Sequence, residues 1–237
     1  MSVTGAVEAI VLVSGGLDSC VALAWAHSRG WRLRTLHVSY GQRTETRERL
    51  AFEQISDYYQ VPENRRLCAS LEYLKQIGGS SLTDPGMPVE DADLQRFKIP
   101  STYVPFRNTH LLAIAASWAE VTGASRIVIG AVEEDSSGYP DCTRRYYAAF
   151  NALLQVAAAR GPVRVETPLI GMRKAAIVRL GSELGAPMHL TWSCYTNSER
   201  ACGVCDSCAL RLRGFAEAGL PDPVEYARAL HTHDRST

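Results

Sequence analysis

Ser14-Gly15-Gly16-Leu17-Asp18-Ser19 follows directly on the apolar run 6–13, AVEAIVLV. The run is rich in Val and Ile and reads as a buried strand entering a turn. Beyond the turn, residues 17–29 carry apolar side chains at helical spacing and stop at Gly30. A Gly-Gly turn therefore joins a strand to a helix. Glycines at that point let the backbone approach an anion closely. Successive N–H groups form a nest, and the helix N-terminus adds a favourable dipole. Ser14 and Ser19 bring hydroxyl donors. Asp18 has no reason to face an anion directly, so a bridging Mg²⁺ is its natural partner. The stretch matches neither GxxxxGK[ST] nor GxGxxG. A bare Gly-Gly turn with an aspartate cap would be an ordinary junction; both serines together with the aspartate argue for a phosphate loop.

On either side, the chain alternates. Residues 31–40 read as a second strand, 44–59 as a polar helix with apolar Leu50, Phe52 and Ile55, and 65–71 as a third, weaker strand. After a long Gly/Ser/Pro/Asp-rich stretch at 78–105 come a helix over 109–121 ended by Gly123 and a strand over 126–131. A helix over 146–159, a strand over 163–167 and a helix over 174–184 ended by Gly185 complete the series. This alternation predicts an α/β fold, a Rossmann-like parallel sheet flanked by helices. It occupies residues 1–185, with a small C-terminal helical part at 186–237 that includes a short helix at 209–218. A loop as long as 78–105 inside a compact unit is functional or disordered. The expectation here is a cover that excludes water from the site.

The C-terminal part carries the second signal. Four of the seven cysteines, Cys194, Cys202, Cys205 and Cys208, cluster within it. Two-residue gaps let the backbone fold around an ion, and four thiolates satisfy tetrahedral Zn²⁺ with no position left for water. The expected metal is one structural zinc per chain. An iron–sulfur cluster, a redox pair or unrelated buried thiols are the alternatives. His231 and His233, in the polar tail, are not expected to be ligands.

Composition narrows the function. The chain has 237 residues, 46% hydrophobic and 21% charged, as in a soluble globule. Lys and Arg number 25 against 25 Asp and Glu, so the formal net charge is zero. That argues against a protein that grips nucleic acid by neutralising phosphates. No apolar run approaches the ~20 residues of a membrane span. The start lacks a basic n-region and a small-residue cleavage site, which makes a cytoplasmic location the expectation.

SGGLDS resembles the pyrophosphate-binding loop of the ATP pyrophosphatase (PP-loop) enzymes, which cleave ATP between the α and β phosphates. With the C-terminal CxxCxxC, it resembles the nitrile-forming family of queuosine biosynthesis, the 7-cyano-7-deazaguanine (preQ0) synthases. Tyr40-Gly41-Gln42-Arg43, Val104-Pro105-Phe106-Arg107-Asn108, Ser137-Gly138-Tyr139-Pro140-Asp141-Cys142, Thr167-Pro168-Leu169 with Lys174, and Thr191-Trp192-Ser193-Cys194-Tyr195 are similar to the family's motifs. The match runs from about residue 10 to 215. Three positions depart from the family pattern: Thr44 where His often stands, Phe106 where a small residue is common, and Ala176 in place of an acidic residue.

The resemblance implies that ATP, with Mg²⁺, binds Val13, Ser14, Gly15, Gly16, Leu17, Asp18, Ser19, Cys20, Val21, Ala22 and Leu23. Asp18, Arg107 and Lys174 are the expected catalytic residues. Tyr40, Gln42, Arg43, Arg107, Asn108, Ser137, Tyr139 and Asp141 are expected at the substrate, with Asp141 accepting from the guanine-like edge and Cys142 as pocket wall. It implies 7-carboxy-7-deazaguanine and ammonia as substrates and a homodimer, without stable nucleic-acid binding. A relative that transfers the acyl group to another amine, a tRNA-sulfurating PP-loop enzyme and a non-enzymatic zinc-ribbon module are the competing readings.

Overall fold

The computed structural model describes residues 6–94, 98–133 and 138–227. Strand β1 (Glu8–Leu12) leads through helix α1 (Leu17–Ser28) to β2 (Arg32–Ser39). Helix α2 (Glu45–Tyr58), β3 (Arg66–Ser70) and the short α3 (Tyr73–Ile77) follow. Then come α4 (Arg107–Thr122), β4 (Arg126–Val128), α5 (Arg144–Ala157), β5 (Arg164–Glu166), α6 (Lys174–Glu183) and α7 (Asp206–Ala218). All strand pairs are parallel, in the order β3-β2-β1-β4-β5.

β1 lies at the centre because its side chains alternate into two apolar layers. Ile10 and Leu12 pack with Leu112, Ile127 and Phe150 on the α4–α5 side. Ala9, Val11 and Val13 pack with Val21, Phe52, Ile177 and Val178 on the α1–α2–α6 side. The period of two puts both faces of one strand in a dry core, which is why β1 reads as a continuous apolar run. The chain winds outward from β1 to β3, then returns to β4 on the other side. The order reverses between β1 and β4, and in open parallel sheets ligands collect beyond the strand ends at such a reversal.

The elements expected from the sequence are all present, with ends displaced by a few residues. The C-terminal segment joins the main core. Phe215 on α7 belongs to the same apolar layer as Ile177 on α6. The helices approach so closely that a Cβ at Gly214 would lie 2.4 Å from Cγ of Lys174.

The described residues of the 78–105 stretch, 78–94 and 98–105, are not a free flap. Arg43 donates from Nε to the Ser81 carbonyl at 2.8 Å and from Nη2 to the carbonyls of Asp84 and Met87. Ser80, Ser81, Thr83 and Thr102 are buried. Ala92 N–H donates to the Val204 carbonyl, and Asp91 bridges to Cys205. The segment therefore ties the end of β2 to the cysteine region. A composition rich in Gly, Ser and Pro marks irregular backbone, and that irregular backbone is anchored here by main-chain acceptors.

Candidate active site

The loop at 14–19 is shaped by its glycines and pinned by its serines. Gly15 has φ +93°, and a Cβ there would lie 2.5 Å from the Glu48 carbonyl oxygen. Only glycine fits both demands. Ser14 Oγ accepts from Gly16 N–H at 3.2 Å and donates to Ser19 Oγ at 3.1 Å, and Ser19 Oγ donates to the Gly16 carbonyl at 2.9 Å. Helix α1 has no side-chain cap, so its first-turn amides keep their donors for a ligand. From the far side, Trp192 N–H donates to the Gly15 carbonyl at 2.8 Å. Gly130, just beyond β4, closes the approach: a Cβ there would lie 2.7 Å from the Asp18 carbonyl.

A cavity of about 280 Å³ opens in front of this loop at the strand-order reversal. That is near the lower end for small-molecule sites. Leu12, Leu36, Val38 and Ile129 supply apolar wall from the ends of three strands. Asp18 and Lys174, which are 156 residues apart, meet there. Lys174 Nζ donates to both carboxylate oxygens of Asp18 at 2.7 Å.

The same cavity is also lined by Tyr40, Glu48, Arg107, Tyr139 and Tyr195. Arg107 Nη1 donates to Tyr40 Oη at 3.1 Å, and its guanidinium lies 5.5 Å from the Tyr40 ring and 5.9 Å from the Tyr139 ring. Among the described residues no carboxylate pairs with Arg107. Tyr139 Oη shares a hydrogen with Thr102 Oγ1 at 2.8 Å. Burial pushes the Cys142 thiol up to about 11, partly offset by Arg107, so the sulfur faces the cavity as a neutral thiol at pH 7. Asn108 also reaches the wall.

Several residues expected at the substrate play other parts. Asp141 does not line the cavity. Its Oδ2 accepts from Asn108 N–H at 3.0 Å and its carbonyl from Asn108 Nδ2 at 2.8 Å, which holds the first turn of α4. Helix α4 lacks any other side-chain cap at its start, so Asp141 supplies one from a distance. Gln42 and Arg43 also stand behind the wall rather than in it. Gln42 is buried, accepting from Tyr40 N–H at 2.8 Å and donating to Glu48 Oε2 at 3.0 Å. Arg43 is the anchor of the 78–94 segment. Of the loop residues, Val13, Ser14, Gly16, Leu17, Asp18 and Ser19 line the cavity, whereas Gly15, Cys20, Val21, Ala22 and Leu23 do not. The last four are α1 residues buried in the core behind it. Ser137 lies outside the described residues.

Sequence reading passed over Glu48 and Gly130, and named Trp192 and Tyr195 only within a family motif. Glu48 lies in the first turn of α2, on the segment that follows the β2 end where Gln42 and Arg43 drew attention, and that position was its available signal. The three departures from the family pattern do not reach the cavity wall. Thr44 is buried and donates to Glu48 Oε1 at 2.7 Å. Phe106 is 66% exposed, and Ala176 sits on α6 away from the wall.

The four clustered sulfurs all lie within 4.8 Å of one another. Cys194 Sγ accepts from the N–H groups of Asn197 and Cys202, each at 3.3 Å. Cys202 Sγ accepts from those of Val204 and Cys205, each at 3.4 Å. Backbone donors aimed at sulfur stabilise thiolate charge, so the site suits a metal held by four thiolates. The cluster is tied to the start of α2, where Thr44 Oγ1 donates to the Cys194 carbonyl at 3.3 Å.

The family model described as queuosine biosynthesis protein QueC matches residues 8–219. A protein of Chlorobium phaeobacteroides named 7-cyano-7-deazaguanine synthase is 56% identical over 220 residues, covering 92% of this chain and 96% of the relative. Proteins of the same name from Acidobacterium capsulatum and Chlorobium chlorochromatii are 53% and 52% identical, covering 96% and 99% of their lengths. Among solved structures, a 4-thiouridine synthetase in complex with RNA and bound ATP superposes with a TM-score of 0.51 at 20% identity, covering 92% of this chain and 47% of the other. A structure described as a predicted subunit of tRNA methyltransferase from Methanocaldococcus jannaschii gives 0.51 at 15% identity, covering 95% of this chain and 94% of the other. At such identities these two establish the fold and nothing more.

Proposed function

Since the chain belongs to the QueC family of queuosine biosynthesis, we propose that it is an ATP-dependent ligase that converts 7-carboxy-7-deazaguanine and ammonia to 7-cyano-7-deazaguanine. The observation that carries this reading is the identity of 52–56% to synthases of that name over nearly their whole length.

The chemistry needs oxygen to leave carbon twice, and oxide is a poor leaving group. In the first round a carboxylate oxygen attacks the α-phosphorus of ATP, and the bond to the pyrophosphate oxygen breaks. Ammonia then adds to the acyl carbon, AMP leaves with the former carboxylate oxygen, and a proton is lost to give the amide. In the second round the amide oxygen attacks a second ATP. Loss of AMP and of both amide protons leaves the nitrile. One cavity serves both rounds, because each presents an oxygen to the same phosphorus.

Charge sorts the residues. Negative charge builds on the departing pyrophosphate, toward which the first-turn amides of residues 17–19 stand preorganised, in a loop pinned by Ser14 and Ser19. Lys174 is placed to follow phosphate charge from its position on Asp18. Arg107, cationic and without a carboxylate partner, suits the acceptor carboxylate. Asp18 is the residue of this chain that would help the phosphates hold Mg²⁺, which supplies charge neutralisation. Tyr139 and Tyr40 offer ring faces to a planar acceptor. Cys194, Cys202, Cys205 and Cys208 would hold zinc, whose contribution is structural because four sulfurs leave no open position.

A requirement for four reduced thiols supports a cytoplasmic site of action. The resemblance carries a homodimer, and the exposed side chains of Val121, Leu153 and Val156 support it. Zero net charge supports small-molecule substrates over tRNA. Transfer to other amines loses its support, since the three departures do not reach the wall.

The test supplies the carboxylate, ammonium and Mg-ATP and follows products by mass spectrometry. Nitrile with two AMP per turnover is expected. ADP in place of AMP would contradict the reading.

A further inference from the structure

Two carboxylates line the cavity, Asp18 and Glu48. Asp18 is engaged by Lys174 through both oxygens. Glu48 has no cation at ion-pair distance among the described residues. Its oxygens instead receive one neutral hydrogen bond each, from Thr44 Oγ1 at 2.7 Å and from Gln42 Nε2 at 3.0 Å. A carboxylate has about four acceptor positions, so roughly one on each oxygen stays available. The two donors are themselves fixed. Gln42 is clamped by Tyr40 N–H, and Thr44 is buried beside the Cys194 carbonyl. The plane of the Glu48 carboxylate is thus set before any ligand arrives.

A guanine-like ring presents two parallel N–H groups on one edge, N1–H and the 2-amino group. A fixed carboxylate matches that edge with both oxygens. The same oxygens would meet the N1 lone pair of adenine, so they turn away the base of ATP. We propose that Glu48 determines specificity for the acceptor by accepting N1–H and the 2-amino N–H of the deazaguanine, leaving Arg107 for its carboxylate. This rests on the functional reading above and moves to Glu48 the role expected of Asp141. Burial pushes the Glu48 carboxyl up from its ordinary range, opposed by its bonds from Thr44 and Gln42 and by the Arg107 charge. A desolvated carboxylate that lacks its own cation gains most from donors that arrive with a ligand.

The experiment compares 7-carboxy-7-deazaguanine with its 2-desamino analogue, in the unaltered zinc-replete protein and in Glu48→Gln, reading KM and kcat for each and ATP affinity by calorimetry. The unaltered protein should prefer the amino-bearing ligand by about 100-fold in kcat/KM, as expected for a hydrogen-bonded charged group. In Glu48→Gln that preference should shrink to below about 10-fold, through KM, with ATP affinity unchanged. Equal use of both ligands by the unaltered protein would overturn the proposal, and this arm stands even if the variant fails to fold. An undiminished preference in a folded variant, or a loss confined to kcat, would overturn it too. Turnover of neither ligand by the unaltered protein would instead overturn the functional reading itself.

Discussion

The wall of the cavity is made from two different materials. The nucleotide end proposed above is backbone: Gly15 and Gly130 press against carbonyls of other segments, and the donors are amides of one loop. The acceptor end proposed above is side chain: Glu48, Arg107 and Tyr139 come from separate elements, each held by a buried second residue. A backbone site tolerates almost no change at its glycines. A side-chain site fails piecemeal, one partner at a time.

Gly15→Ala should break the nucleotide end outright. It forces a side chain into φ +93° and against a carbonyl oxygen 2.5 Å away. We expect kcat/KM to fall by at least about 1,000-fold with loss of ATP uptake in calorimetry. A variant that still binds ATP normally would show that the loop is not built from backbone contact. Asp18→Ala leaves the fold but removes the carboxylate that Lys174 grips. Turnover should drop by about 1,000-fold while the thermal midpoint moves by only a few degrees, measured by product assay and calorimetry together. If unfolding accompanied the loss, Asp18 would be a cap rather than a ligand of the reaction.

At the acceptor end the losses should be graded. Asp141→Ala removes the partner of a buried amide at the start of α4, costing about 1–3 kcal/mol in denaturant unfolding. Activity should fall less than in Asp18→Ala, because Asp141 positions Arg107 and Asn108 without facing the cavity. Cys142→Ser is the mildest. Burial holds this thiol up to about 11, so between pH 7 and 9 it stays protonated and contributes no nucleophile. The pH–rate profile of the serine variant should overlie the original within about threefold across that window. Collapse of turnover would assign chemistry to the sulfur.

The same contrast governs what the sequence disclosed. SGGLDS was legible because a nest of amides needs consecutive glycines and hydroxyls, and consecutive residues leave a local signature. The Cys₄ cluster was legible for the same reason. The continuous apolar run placed β1 at the centre of the sheet, since residues 9–13 are buried on both faces. Glu48 escaped notice because its neighbours in space, Gln42, Thr44 and the Cys194 carbonyl, come from a strand end, a helix turn and a distant loop. Asp141 was misplaced by motif proximity. A polar residue in a Gly-Tyr-Pro-Asp turn has two uses, ligand contact or capping a helix elsewhere, and the choice depends on where α4 begins. The 78–105 stretch was read as a cover because composition signals irregular backbone but not which carbonyls Arg43 grips.

The account as a whole requires acceptor oxygen to attack the α-phosphorus held by the loop, in both rounds. Its sharpest measurement uses acceptor labelled with ¹⁸O in both carboxylate oxygens, with mass analysis of the phosphorus products. Each of the two AMP molecules formed per nitrile should carry one label, and pyrophosphate none. Label in pyrophosphate or orthophosphate, or unlabelled AMP beside labelled water, would contradict it.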